Sequence, residues 1–131
     1  MTTSKTVEPP PAGRRVEPLV RPSLVYLATP YSDPDPLIRR ERFEKVNDFA
    51  ARMMRSGLHV FSPISHTHPI AQAGGLQLGW EFWEACDLKI LSVCEKLIVL
   101  KLDGWQNSRG VTAEIAIANE LGLSVEFVDF S

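Results

Sequence analysis

The segment spanning residues 96–119 constrains the fold more than any other part of the chain. It reads KLIVLKLDGWQNSRGVTAEIAIAN. The unbroken apolar run near its start predicts a buried strand, and the turn dipeptide Asp103-Gly104 marks the break after it. A helix with an apolar face follows Gly110. Strand, glycine-bearing loop and helix N-terminus, in that order, form the arrangement that binds anions and small molecules in α/β folds.

The remainder of the chain repeats this alternation of short apolar runs and helical patterns. Its first third predicts a strand, an amphipathic helix that ends at Gly57 and a second strand, which together make a parallel βαβ unit. The whole pattern predicts an α/β sandwich around a short parallel sheet. The predicted strands cover residues 23–28, 58–61, 96–102 and 124–128, the predicted helices cover residues 37–56, 80–94 and 106–121, and a long loop covers residues 62–79.

Ligands of such sheets bind beyond the carboxyl ends of the strands, here at residues 29–35, 62–79 and 103–109. The longest of these loops contains His66 and His68. Because no further ligand residues complete a metal site nearby, we interpret both as solvent-facing or hydrogen-bonded loop histidines. We expect neither a metal nor a cofactor.

Two carboxylates fall on the apolar stripes of predicted helices. At about 100° per residue, Asp87 lies between Trp83 and Leu91 on one stripe. Glu114 lies within the other stripe, close to Val111. A buried carboxylate is unfavourable unless it is paired, hydrogen-bonded or at a cavity. One such acid alone could satisfy a structural hydrogen bond, whereas two on helices of one small sheet predict a cavity that both line, as is typical of catalytic sites.

The position of Glu114 indicates a chemistry. It follows Gly110 by four residues, near the positive end of its helix, so we expect it to stay ionised and to act as a nucleophile or base. Paired carboxylates at moderate separation suit cleavage of a glycosidic bond. The loop before the helix could hold an anionic group through backbone N–H groups, the Ser108 hydroxyl and Arg109. Ser108 could equally be an ordinary N-cap, and the two roles are compatible.

Composition narrows the choice of partners. A chain of 131 residues suits one domain, and a net charge of −2 gives no reason to invoke nucleic acid. No secretory signal and no membrane-length apolar run is evident, so we expect a cytoplasmic protein, with Cys86 and Cys94 reduced. Residues 1–22 predict a disordered or loosely attached Pro-rich arm before a domain at residues 23–131. A scaffold or interaction protein that binds through this arm is one alternative function.

Five motifs, in this order and spacing, resemble the nucleoside 2-deoxyribosyltransferase-like superfamily, and most closely a small branch of it. The resemblance covers residues 24–128. It implies a flavodoxin-like three-layer sandwich, a homo-oligomer (dimer or tetramer), and cleavage of the N-glycosidic bond of a deoxynucleoside or nucleoside 5′-monophosphate by hydrolysis or base exchange. The motifs are YLATPY at residues 26–31, GxxVFSP at 57–63, Wx(6)D at 80–87, LIVLxLDG at 97–104 and SxGVxxE at 108–114.

The resemblance also implies roles for individual residues. The family's catalytic glutamate falls on Glu114, which implies attack on C1′ and a glycosyl-enzyme intermediate. Its sugar-positioning aspartate falls on Asp87, and the tyrosine that supports the glutamate falls on Tyr26. The implied substrate-binding residues are Ala28, Thr29, Pro30, Tyr31, Ser62, Ser108, Arg109 and Gly110.

Two departures from the family pattern bear on the substrate. Ser108 stands where the transferases carry an aspartate, and a serine there resembles the nucleotide N-glycosidases that act on 5′-monophosphates. A hydroxyl at a helix N-terminus can donate to phosphate, whereas a carboxylate would repel it. Thr29 stands where many relatives have glycine and narrows the room beside the ligand. A non-catalytic nucleotide-binding or sensing module on the same fold is the main alternative function.

Overall fold

A computed structural model of the chain describes residues 23–76 and 79–131. The predicted arm at residues 1–22 lies outside these ranges. In chain order the elements are β1 (Leu24–Ala28), α1 (Pro36–Arg55), β2 (His59–Phe61), α2 (Pro63–Gly74), α3 (Trp80–Leu91), β3 (Lys96–Leu100), a 3-10 turn (Trp105–Asn107), α4 (Arg109–Glu120) and β4 (Ser124–Val128).

The described strands form one parallel sheet in the order β2-β1-β3-β4. Side chains of the central strands alternate between its faces: Val25 and Leu27 pack against α1, whereas Tyr26 and Ala28 pack on the side of α3 and α4. Both faces are therefore covered, which explains why the central strands are nearly continuous apolar runs. The result confirms the predicted α/β fold, a three-layer sandwich consistent with the flavodoxin-like class.

The helix α1 follows the sequence pattern closely. Asp35 caps it by accepting a hydrogen bond from the Leu37 N–H at 2.9 Å, and Pro36 occupies its first position, where no N–H is needed. Its buried side chains, Val46, Ala50 and Met53, recur at the helical period and fill the core on one face of the sheet.

The prediction of a long loop at residues 62–79 is wrong over most of that range, because α2 occupies residues 63–74. Ser62 caps this helix by accepting from the Ser65 N–H, and Pro63 stands in its first turn. Gly75, in the left-handed conformation, ends it. Pro69 lies inside the helix and cannot donate a backbone hydrogen bond there. The helix forms despite this loss, with favourable residues at its start and end. The helix packs against α1 and β1.

The second half of the chain differs from the prediction in its boundaries. The helix predicted from residue 106 is divided, because Ser108 is extended and separates a single 3-10 turn from α4. The predicted helix at 80–94 ends at Leu91, and the strand predicted at 96–102 ends at Leu100. Among the helices of the described ranges, none combines the length and the apolar character that crossing a membrane requires.

Candidate functional site

A cavity of about 290 Å³ lies at the carboxyl edge of the sheet. The chain adds β2 on one side of β1 and then crosses to add β3 on the other, so this edge contains the topological switch point where ligands of open α/β sheets bind. The wall residues follow β1, β2 and β3, precede α3 and α4 or lie within these two helices; they are Thr29, Tyr31, Ser32, Pro63, Ile64, Thr67, Gly79, Trp80, Glu81, Trp83, Asp87, Asn107, Ser108, Arg109, Gly110 and Glu114.

Asp87 and Glu114 both line this cavity. Asp87 comes from α3 and is 6% exposed, and Glu114 comes from α4 and is 4% exposed. The two helices pack against each other, and each places its acid on its buried side. This is the geometry that the helical spacing predicts. Two carboxylates withdrawn from solvent at one opening can bind hydroxyl groups, exchange protons or attack an electrophilic carbon.

Tyr26 connects β1 to the acid of α4. Its hydroxyl donates a hydrogen bond of 2.5 Å to Oε2 of Glu114, and the whole side chain is buried. Tyr26 does not line the cavity itself but fixes the carboxyl group that does. The contact that the family resemblance implies for Tyr26 is therefore present in the geometry.

The ionisation of Glu114 differs from the expectation. Burial raises the pKa of Glu114 to about 8, a value that already includes the lowering effect of the Tyr26 hydrogen bond and the smaller raising effect of the Asp87 charge. Glu114 is therefore mostly protonated at neutral pH, and the expectation that its helix keeps it ionised is wrong. Glu114 is the sixth residue of α4, beyond the first turn in which the helix dipole acts.

The other two groups of this cluster are also shifted. Burial raises the pKa of Asp87 to about 6, so Asp87 is mostly ionised at neutral pH. Burial and the two neighbouring acids raise the pKa of Tyr26, which keeps its hydroxyl protonated and able to donate. The cluster thus holds one carboxylate, one carboxylic acid and one phenol near pH 7.

The N-terminus of α4 forms another part of the wall. The Ser108 hydroxyl caps the helix by accepting from the Val111 N–H at 3.2 Å. Accepting this bond does not use the hydroxyl hydrogen, so the capping role and donation to a ligand are compatible. Gly110 allows the ring of Trp80 to lie close, because a Cβ there would stand 3.2 Å from Cε3 of that ring.

Arg109 is already paired. Its guanidinium group donates to Oε2 of Glu81 in the first turn of α3, and both side chains are largely exposed. Since both residues also line the cavity, this ion pair joins the starts of α3 and α4 at its wall. An anionic ligand would reach Arg109 only by competing with Glu81.

The wall on the β1 side contains Thr29 and Tyr31, both buried. The Tyr31 hydroxyl forms a short hydrogen bond with Nδ1 of His68, and the imidazole stacks on Phe43 with ring centroids 4.2 Å apart. Burial, aided by nearby arginines, lowers the pKa of His68 and so favours the neutral form of the ring. His66 and His68 both lie in α2 and not in a loop, which corrects that part of their interpretation, whereas the hydrogen-bonded alternative holds for His68, which is buried. His66 is exposed.

No group of three or more potential ligand side chains that could hold a metal ion occurs within residues 23–76 and 79–131. Cys86 and Cys94 are free thiols. Ala28, Pro30 and Ser62, named by the resemblance, are buried but do not line the cavity. Ala28 packs in the core, and Ser62 caps α2.

Several wall residues were not named individually, although some of them lie in the segment 62–79 that was expected to border the ligand. Pro63, Ile64 and Thr67 belong to α2, and the Ser-Pro start of that helix is the signal that would have located them. The helical spacing places Trp80 and Trp83 on the same stripe as Asp87, so the sequence predicts that they neighbour that acid. It does not predict that they line the cavity.

Residues 23–129 match the family model described as "Domain of unknown function (DUF1937)". None of the curated proteins matches the chain.

Proposed function

The chain belongs to the DUF1937 family, and because the description of that family names no activity, we propose a function from the site. The proposed reaction is cleavage of the N-glycosidic bond of a nucleoside 5′-monophosphate or a deoxynucleoside, with Glu114 as nucleophile. The single observation that carries this proposal is the cavity shared by two buried carboxylates, one of which is held by a buried tyrosine. The resemblance to the nucleoside 2-deoxyribosyltransferase-like superfamily supports the same reaction.

The reaction uses three side chains. The ionised Glu114 attacks C1′ and forms a glycosyl ester while the C1′–N bond breaks; the bonding electrons pass to the base nitrogen, which takes a proton from water. Water then cleaves the ester, which restores the carboxylate and leaves a hydroxyl on C1′; a second base in place of water gives base exchange. Asp87, ionised, accepts hydrogen bonds from the sugar hydroxyls, and Tyr26 orients Glu114.

The shifted pKa of Glu114 fits a nucleophile of this kind. With a pKa of about 8, roughly one molecule in ten carries the ionised form at pH 7. A carboxylate that is poorly solvated is a stronger nucleophile than one in water, because little hydration must be removed before attack. The Tyr26 hydrogen bond stabilises this reactive form.

The cavity walls suit the parts of a nucleotide. The indole rings of Trp80 and Trp83 offer faces against which a base could pack. Ser108 and the backbone N–H groups that begin α4 suit a phosphate. A volume of about 290 Å³ is near the lower end of the range for small-molecule sites, so it favours a compact ligand.

Base release tests the proposal. The protein is incubated with deoxynucleoside and ribonucleoside 5′-monophosphates and with the corresponding nucleosides, and free base is measured chromatographically. We expect Glu114→Gln and Asp87→Asn to lower release by about 100-fold or more. Glu120→Gln and Glu84→Gln, exposed acids on the same two helices, are matched controls and should retain activity. No release from any substrate, or equal release by wild type and Glu114→Gln, would contradict the proposal.

The alternative is a non-catalytic nucleotide-binding or sensing module. The observation that favours it is the burial of Glu114, because burial raises the pKa of this carboxyl group and the protonated form is a hydrogen-bonding group and a poor nucleophile. This alternative predicts that a nucleotide raises the melting temperature while no base is released at any pH from 6 to 9.

The proposal includes a homo-oligomer, a dimer or a tetramer. Phe82 supports it, because this aromatic residue of α3 is 46% exposed beside Trp83, and their rings stand edge to face at 4.8 Å. An exposed aromatic of this size is typical of interface centres. Light scattering of the wild type should give a mass of at least twice 14.6 kDa, and Phe82→Ser should reduce it. A monomeric wild type would contradict this part of the proposal.

A further inference from the structure

We infer that the side-chain hydroxyl of Thr29 binds an uncharged polar atom of the base or sugar of the nucleoside, and thereby helps to select which nucleosides enter the cavity. The inference rests on the proposed function and assigns to Thr29 a specific hydrogen bond in ligand recognition. It follows from three features of Thr29: burial, position in the cavity wall and an unfilled hydrogen-bonding capacity.

Thr29 is the residue that immediately follows β1. It is 5% exposed and lines the cavity that holds Asp87 and Glu114. Its Oγ1 atom is buried and has no hydrogen-bond partner in the part of the chain that the structure describes. Buried hydroxyl groups without a partner are rare and unfavourable in folded proteins, so this one calls for a partner from outside the protein.

Three other hydroxyls of the same wall, those of Tyr31, Thr67 and Ser108, differ from the hydroxyl of Thr29. The Tyr31 hydroxyl is hydrogen-bonded to Nδ1 of His68, and the Thr67 hydroxyl donates a hydrogen bond of 2.9 Å to the carbonyl oxygen of Pro63. Ser108 accepts from the Val111 N–H. Each of these three hydroxyls already makes a hydrogen bond within the protein, whereas the Thr29 hydroxyl makes none within the described residues.

Local sequence holds the Thr29 side chain in place. The following residue is Pro30, which restricts the backbone of Thr29 to extended conformations. Threonine is also β-branched, which limits its χ1 rotamers. The hydroxyl is therefore set in position before a ligand arrives, and binding costs it little conformational entropy.

The chemistry of a hydroxyl defines the ligand atom. It can donate one hydrogen bond and accept others, so it fits a base nitrogen, a base carbonyl or a sugar hydroxyl. A nucleoside that presents such an atom at Thr29 gains affinity, and one that presents a methyl or methylene group there loses it, because the hydroxyl then stays unpaired.

The test separates binding from turnover. In a Glu114→Gln background, isothermal titration with deoxynucleosides and their 5′-monophosphates measures affinity. Thr29→Val removes the hydroxyl at constant shape, Thr29→Ser keeps it, and Thr67→Val removes a hydroxyl that is already satisfied. We expect Thr29→Val to weaken binding about tenfold without lowering the melting temperature, and Thr29→Ser to bind nearly as wild type. Thr67→Val should lower the melting temperature, because the carbonyl oxygen of Pro63 loses its hydrogen bond.

Each contrary result is informative. Unchanged affinity in Thr29→Val would overturn the inference, because water would then be the partner. A drop in melting temperature in Thr29→Val equal to that in Thr67→Val would also overturn it, since the hydroxyl would have a partner within the protein. Tenfold weaker binding in Thr29→Val, together with no base release by the wild type, would sustain the inference while the proposed enzyme activity fails. Failure of every nucleoside and nucleotide to bind would overturn both.

Discussion

The chemistry of the site depends on one hydrogen bond, that from Tyr26 to Glu114. Burial and the charge of Asp87 both raise the pKa of Glu114, and the Tyr26 hydroxyl opposes them. If ionised Glu114 is the nucleophile, kcat/KM should rise with pH up to about 8, where half of the Glu114 groups are ionised.

Removing that hydroxyl gives the first prediction. Tyr26→Phe should raise the pKa of Glu114 further, because the ring is retained but the donor is lost. The rising limb of the pH profile should therefore move to higher pH, and kcat/KM at pH 7 should fall by about tenfold or more. The measurement is kcat/KM from pH 5.5 to 9.5. A Tyr26→Phe profile with the wild-type midpoint would show that Tyr26 does not act on the ionisation of Glu114.

Sequence alone located both acids but not their protonation. Helical spacing places Asp87 and Glu114 on buried stripes, and spacing is a local property that survives folding. The pKa of Glu114 depends on complete burial and on groups 88 and 27 residues away, Tyr26 and Asp87. The unpaired hydroxyl of Thr29 is likewise a property of what surrounds it, and no motif displays it.

At the scale of elements, the close packing of α3 against α4 depends on Gly110, which has no side chain. A Cβ on Gly110 would stand 3.2 Å from the Trp80 ring, so Gly110→Ala should push that ring away and lower the free energy of unfolding by about 1–2 kcal/mol. Gly79→Ala is the matched control, since Gly79 has an ordinary φ of −79° and meets only the flexible Glu81 carboxylate at 3.4 Å. Urea denaturation measures both. Equal effects of the two substitutions would contradict the packing explanation.

The ion pair between the first turns of α3 and α4 gives a prediction about phosphate. Glu81→Gln releases the Arg109 guanidinium from its carboxylate partner, so nucleoside 5′-monophosphates should bind severalfold more tightly and with a steeper salt dependence. Affinity for the nucleosides without phosphate should stay the same. Glu84→Gln, another exposed acid of α3, controls for net charge. Equal gains from both variants would indicate a general charge effect and no role for Arg109.

The element that sequence reasoning missed, α2, shows where patterns fail. Two prolines and three glycines in residues 62–79 suggested a loop, yet Ser62, Pro63 and Gly75 are ordinary helix start and stop residues. Tertiary contacts with α1 and the sheet hold a helix that weak local propensity leaves undecided. The error mattered because α2 supplies one wall of the cavity.

For the whole molecule, the fold could be predicted because the two central strands are buried on both faces. The central strands β1 and β3 are continuous apolar runs, and the helices between them carry clear stripes, so the α/β class follows from local patterns. The strand order β2-β1-β3-β4 is a different kind of information. It depends on which long-range pairings bury the most surface, and it determines that the loops after β1, β2 and β3 meet at one cavity.

The buried acids also link the stability of the whole molecule to pH. The pKa of Glu114 rises from an ordinary 4.5 to about 8, and that of Asp87 from 3.8 to about 6. At a pH between the ordinary and the raised pKa of each acid, the folded protein retains a proton that the unfolded chain releases. Their contribution to stability is therefore fully present below about pH 4 and is lost as pH rises, through about 6 for Asp87 and about 8 for Glu114.

We therefore expect the free energy of unfolding to fall between pH 5 and pH 9, by an amount on the order of 3 kcal/mol through Glu114 alone. Glu114→Gln carries a neutral amide at every pH, so its free energy of unfolding should change much less over this range. The difference between wild type and Glu114→Gln, from urea denaturation at each pH, isolates this group from all others that titrate. Glu120→Gln, an exposed acid on the same helix, should follow the wild type. If Glu114→Gln loses stability with pH as steeply as the wild type, Glu114 is already ionised at pH 5 in the folded protein, and the reaction would then begin from a carboxylate present at all physiological pH values.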